Sequence, residues 1–152
     1  MSDPVTFTSA TPRHALPLLF AGQAQKELTV NEAHALADAL LHPAVEGEAT
    51  DPPVAPDEGE SWLVGTGATG DWIGEEGKLA CREAGNWLFM APRDGMSVLD
   101  RSSGQRILYL DGWQRPAPPV EPTGGTTADT EARTAIAGLI EALRVAGVFA
   151  SA

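Results

Sequence analysis

Cysteine is almost missing: Cys81 is the single one, so no disulfide can brace the chain from within. Its LACRE setting reads as a small packed residue rather than a nucleophile. No run of about 18 apolar residues exists, and no basic stretch precedes an apolar one, so neither a transmembrane helix nor a signal peptide is expected. The chain is expected to be made in the bacterial cytoplasm. Lysine is scarce, with Lys26 and Lys78 alone, and 10 basic residues face 21 acidic ones for a formal net charge of -11. That balance argues against duplex nucleic acid as a ligand, because phosphate binding needs a basic footprint. It also disfavours docking on anionic lipid.

Catalytic patterns are equally thin. His34 and His42 sit eight apart on one predicted helix, two turns from each other and too far to share a metal directly; His14 lies elsewhere. The GTGATG stretch at 65–70 lacks the Lys-Ser/Thr of a phosphate loop and does not precede a helix, so it reads as a wide hairpin loop. Ser61, Ser97, Ser102 and Ser103 have no nucleophile-elbow context. Asp71, Glu75 and Glu76 cluster in DWIGEEG, which reads as a solvated turn rather than a glycosidase pair. No enzyme, metal or cofactor is expected.

What is present is organised in blocks. The chain of 152 residues suits one domain with appendages. Residues 1–21 carry Pro4, Pro12 and Pro17 and read as an extended arm that needs a surface to lie on. Over 22–42, Leu28, Ala33, Leu36, Ala37, Leu40 and Leu41 recur at three and four, an amphipathic helix stopped by Pro43. Thr29 or Asn31 is a candidate cap for a second helical start within it. Residues 43–60 form an acidic, Pro-rich loop.

From 61 to 116 the character changes to short apolar-aromatic runs separated by Gly turns: SWLVG, DWIG, KLACRE, NWLFMAP, MSVLD, RILYLDG and WQRP. These predict short antiparallel strands joined by hairpins. A weak internal repeat places a strand, a Gly turn and a Trp in both LACREAGNWLF and ILYLDGWQRP. The predicted fold class is mainly β with flanking helices: a small antiparallel β sandwich or barrel, an N-terminal arm plus helix, and a coiled-coil-like C-terminal helix. Trp62, Trp72, Trp87 and Trp113 have the bulk to form its core. Trp72, Trp87 and Trp113, with Asp71, Asn86, Arg93 and Asp111, also have the chemistry of a sugar-stacking platform. Both readings remain open at this level.

Residues 117–128, rich in Pro, Gly and Thr, form a linker. The helix predicted over 129–147 has Asp129 as N-cap, Glu131 in its first turn and Gly147 just past its end. Ala132, Ile136, Leu139, Leu143 and Ala146 are spaced 4-3-4-3, a seam of two heptads that Ile140 widens. A helix this short is marginal alone. It either folds back on its own β domain or packs against other copies, and the 3.5-residue seam favours oligomerisation.

The segment 16–41, LPLLFAGQAQKELTVNEAHALADALL, resembles the N-terminal signature of an uncharacterised family found in phages and gene transfer agents. The most specific part is GQAQKE-T-NEA at 22–33, and GTGATGDWIG and the W-F-AP-DG pattern of 87–95 extend the likeness to about Trp113. Residues 96–100 depart from it, lacking an expected aromatic, which leaves that strand open. The resemblance implies a virion structural protein: a head-spike base or fibre adaptor, docked on the capsid and involved in adhesion to capsule polysaccharide. Its expected partners are further copies of itself, a capsid protein and a spike or fibre protein, in a particle assembled from the cytoplasm. The alternative is a carbohydrate-binding module touching the polysaccharide itself. No catalytic residues are carried over.

Overall fold

The computed structural model describes residues 9–22, 26–120, 124 and 129–151. In chain order the elements are α1 (Lys26–Leu40), β1 (Ala44–Val45), β2 (Glu48–Ala49), β3 (Ser61–Val64), β4 (Leu79–Glu83), β5 (Asn86–Met90), β6 (Ser97–Asp100), β7 (Gln105–Tyr109), β8 (Trp113–Gln114) and α2 (Thr130–Val145). The fold class is mainly β with a helix on either side in sequence. Two compact units emerge, one drawn from Met1–Pro43 and Glu48–Ala91, the other from Ala44–Gly47 and Pro92–Ala152. The strands of 61–116 are therefore shared between two units, each with one four-stranded sheet.

In the first unit the sheet order is β2-β3-β4-β5. β3, β4 and β5 are antiparallel, while β2 adds to β3 in parallel. β1 and β2 lie in the stretch expected to be loop; at two residues each they are too short to leave a periodic pattern. The β4–β5 hairpin turns on Ala84 and Gly85, both at positive φ (49° and 76°), with Glu83 paired to Asn86. Two such residues match the right-handed twist of the flanking strands.

DWIG, expected as a strand, is a 3-10 turn at Gly70–Trp72 within the long β3–β4 connection. Gly70 (φ 56°) and Gly74 (φ 82°) bend the backbone through conformations closed to most residues. The bend drops Trp72 into the core at 0% exposure, beside Val64, Ala68 and Ala80, with Trp62, Trp87 and Phe89 packed around them.

The described part of the arm, 9–22, lies on its own helix. It doubles back through an Ala10–Pro17 bridge, with the Thr11 amide donating to the Leu16 carbonyl at 3.0 Å. The amides of Arg13 and His14 donate to the Asp38 carboxylate at 2.8 and 2.7 Å. In return, the Arg13 guanidinium donates to the carbonyls of Asp38, Ala39 and His42 (3.2, 2.6 and 3.1 Å). A cation thus satisfies carbonyls that a helix end leaves open. α1 runs unbroken through Thr29 and Asn31. Asn31 does not cap a second start; its amide exchanges hydrogen bonds with the backbone of Leu19. The expected arm residues 1–8 and helix residues 23–25 lie outside the described residues, as does most of the linker.

The second unit orders its strands β1-β6-β7-β8, antiparallel except for β1 on β6. β6 forms without the missing aromatic, because Val98 (1% exposed) pairs across to Ile107 (0%) and both are core. Asp100 is buried at its end. Burial alone pushes its carboxyl up, but hydrogen bonds from Ser102 and Arg115 and the Arg115 charge outweigh this and hold it below the usual range.

Candidate functional site

α2 is a complete, well-ended helix. The Asp129 carboxylate accepts from the Ala132 amide at 2.8 Å, the expected N-cap. At the other end Gly147 adopts φ 73°, its amide donating to Arg144 O (2.9 Å) while the Val148 amide donates to Leu143 O (2.8 Å). That pair of bonds is a Schellman closure. The residues beyond it then join the sheet of the same unit. The Arg106 amide donates to Gly147 O, the Ser151 amide to Ser103 O, and the Gln105 side chain to Val148 O (2.6, 2.7 and 2.8 Å). Phe149 is buried with them.

Of the six predicted oligomerisation positions, the structure separates one from the rest. Ile140 is buried at 5%, whereas Ile136 and Leu139 stay 41% and 61% exposed. Ala132 and Ala146 are exposed and Leu143 is half-buried. At 100° per residue the seam Ala132–Ile136–Leu139–Leu143–Ala146 spans an arc of about 80°, and Ile140 lies about 40° beyond its edge. The helix is therefore anchored by Ile140 and its C-terminal tail, and its heptad seam faces elsewhere. Fold-back and an available seam coexist on one helix.

The predicted sugar contacts do not converge. Trp72 has no free face: it packs against Trp87 (centroids 5.1 Å, 80°) and Trp62 (6.4 Å, 43°) at 0% exposure. An indole with both faces covered is core and cannot stack on a ring. Trp87 is half-buried, with the Arg82 guanidinium 5.3 Å above its ring. Asp71 is exposed beside Trp72, and the Asn86 amide donates to Ala84 O at 3.0 Å. Trp113 belongs to the second unit, where it meets Tyr109 edge-on at 5.2 Å. Arg93 and Asp111 are exposed in that same unit.

Sequence reading missed a groove in the first unit, of about 520 Å³. One wall is α1, through Leu28, Asn31, Glu32 and Ala35; another is the tip of the β4–β5 hairpin, through Glu83, Asn86, Trp87 and Leu88, with Leu18 closing one side. The signal was partial: Leu28, Asn31, Glu32 and Ala35 do recur at three, four and seven along the helix, but the hairpin half has no local pattern. Burial pushes the Glu83 carboxyl above its usual range, helped by the charges of Glu58 and Asp38.

Among the described residues, the thiol and two of the histidines have structural surroundings. Cys81 is buried (2%), and burial pushes its thiol up, away from the reactive thiolate. His14 and His34 hydrogen-bond to the carbonyls of Leu41 and Pro17. Among the described residues no group of three or more His, Cys, Asp or Glu is placed to hold a metal. No helix among them is long and apolar enough to cross a membrane.

No curated protein and no solved structure matches the chain. A family model does, over residues 30–114, an interval that takes in most of α1 and all eight strands and stops before α2. The match covers more than half of the sequence, and the chain belongs to that family, described as protein of unknown function (DUF2793).

Proposed function

We propose that this protein is a structural component of a phage-like particle, a gene transfer agent or a phage: a head-spike base or fibre adaptor. In this reading it docks on the capsid, associates with further copies through α2, and supports attachment of a spike or fibre to the host surface. The observation that carries the assembly role is Leu139, 61% exposed on a helix fully capped at both ends and already held by Ile140. A helix needs no apolar seam on its open side to stay folded once it is anchored, so the seam is best explained by a partner helix. The GQAQKE-T-NEA run supports the particle context. The net charge of -11 fits a surface kept from nonspecific contact with nucleic acid and lipid.

The alternative, a carbohydrate-binding module on capsule polysaccharide, has less beneath it. Of its three tryptophans one is core, one lies under an arginine and one is in the other unit.

Mass spectrometry of purified particles from the encoding bacterium tests the lead directly. The chain is expected among the particle proteins, and particles made without it should still package DNA but attach poorly to host cells. Its absence from the particles would overturn the reading.

A further inference from the structure

The groove of the first unit is independent of α2 and of the assembly reading. Its lining is mostly apolar and carries two carboxylates, Glu32 and Glu83. Leu18, Leu28, Ala35, Trp87 and Leu88 supply the apolar part, and Leu28 is 74% exposed. Its volume of about 520 Å³ falls within the range of ligand pockets, roughly 300–1,000 Å³, and exceeds a single side-chain defect.

The polar groups divide in an informative way. Asn31 has both ends of its amide committed to Leu19, and the Asn86 amide donates to Ala84 O. These are the groups that would otherwise read hydroxyls. Glu32 and Glu83 are different: among the described residues neither carboxylate has a hydrogen bond or an ion pair. Glu83 is half-buried and faces the negative charges of Glu58 and Asp38. Glu58 is engaged with the Gly85 amide, and Asp38 with Arg13 and His14. The neighbouring cation, Arg82, lies over the Trp87 ring and makes no ion pair with either carboxylate, so two unpaired negative charges line an otherwise apolar slot. A cation placed there gains attraction, and an anion is repelled.

We propose that this groove is a docking site for a partner protein that inserts an apolar side chain with a lysine or arginine beside it. The apolar group covers Leu28 and Leu88, and the cation lies between Glu32 and Glu83. A sugar would meet mostly leucine and alanine, and the one indole of the lining, Trp87, already carries the Arg82 guanidinium.

Titration of the full chain with the blocked peptide Ac-Lys-Leu-Leu-Lys-NH2, followed through backbone amide signals, tests this. Shifts are expected along Leu28–Ala35 and Glu83–Leu88, saturable and reduced by salt. Glu83→Gln should weaken the peptide about fivefold and Leu28→Asp about tenfold or more, with the spectra otherwise folded, since Leu28 is exposed and Glu83 is relieved of its charge. Equal binding of Ac-Glu-Leu-Leu-Glu-NH2 would remove the charge argument and overturn the proposal. So would shifts at these residues with a capsular oligosaccharide in place of the peptide, or no shifts with any of the probes.

Discussion

Replacing Ile136 and Leu139 together by Asp is the sharpest perturbation of the α2 seam. Burying a Leu or Ile completely contributes about 1.5–3 kcal/mol. With Leu139 61% and Ile136 41% exposed in the single chain, about 1–2 and about 0.6–1.2 kcal/mol remain to be gained on assembly. Two copies meeting seam to seam double that to about 3–6 kcal/mol, against an association cost of about 4–15 kcal/mol. The seam alone therefore nets at most about 2 kcal/mol, a Kd of roughly tens of millimolar or weaker. It becomes effective only where docking holds several copies side by side at an effective concentration of that order. Paramagnetic broadening of one copy by a spin-labelled second copy, from about 10 μM to about 1 mM, reads this weak encounter: the wild type is expected to show broadening along the seam only toward the top of the range. The double variant should show none throughout, with unchanged circular dichroism, because Ile140 and the tail still anchor the helix. A wild type without broadening at every concentration, or a variant that broadens equally, would refute the seam argument.

Further outcomes follow from the clamps in each unit. Asp38→Ala leaves the Arg13 and His14 amides without their acceptor in a buried setting and should cost about 2–3 kcal/mol, read by urea unfolding. Gly147→Ala forces a side chain into φ 73° with its Cβ 3.3 Å from Gly104 O, and should lower stability by about 1 kcal/mol or more, read as a drop in Tm. For Glu83 the folded pKa is raised above its unfolded value near 4.5, so the native state holds that proton more tightly. Its contribution to stability therefore falls as pH rises through the unfolded value toward the folded one, and Glu83→Gln should make the protein more stable at neutral pH and flatten that segment of the pH profile. Thermal melts at several pH values decide it; a destabilised variant at neutral pH would mean the carboxylate is held by a favourable partner.

How much was legible in the sequence depended on the range of the interaction. Asp129 and Gly147 act through bonds to residues three away, the Gly of the β4–β5 turn through its own positive φ between paired Glu83 and Asn86, and each is where its local pattern puts it. Trp72 shows the opposite. Its DWIG run carries the composition of a strand, but which way the indole points is decided by Gly70 and Gly74 together, and by Val64 and Ala80 on strands either side of the connection. Composition alone cannot separate a stacked core indole from an exposed sugar platform, since both need the same ring.

The seam of α2 and the groove beside α1 sharpen that distinction. Leu139 and Ile140 are adjacent and similarly apolar, one in the heptad seam and one just beside it, yet the first is 61% exposed and the second 5%. Their directions differ by one residue's rotation, about 100°, and the tail bonded through Gly147 and Ser151 holds the helix end at which that rotation is set. Leu28 and Ala35 on α1 share one helix face and both line the groove with Glu83, yet they are 74% and 8% exposed. In both units the residues best suited to meet a partner are apolar positions of an amphipathic helix that the chain's own packing passes over. Exposure at such positions, rather than residue type, separates an interaction surface from a core.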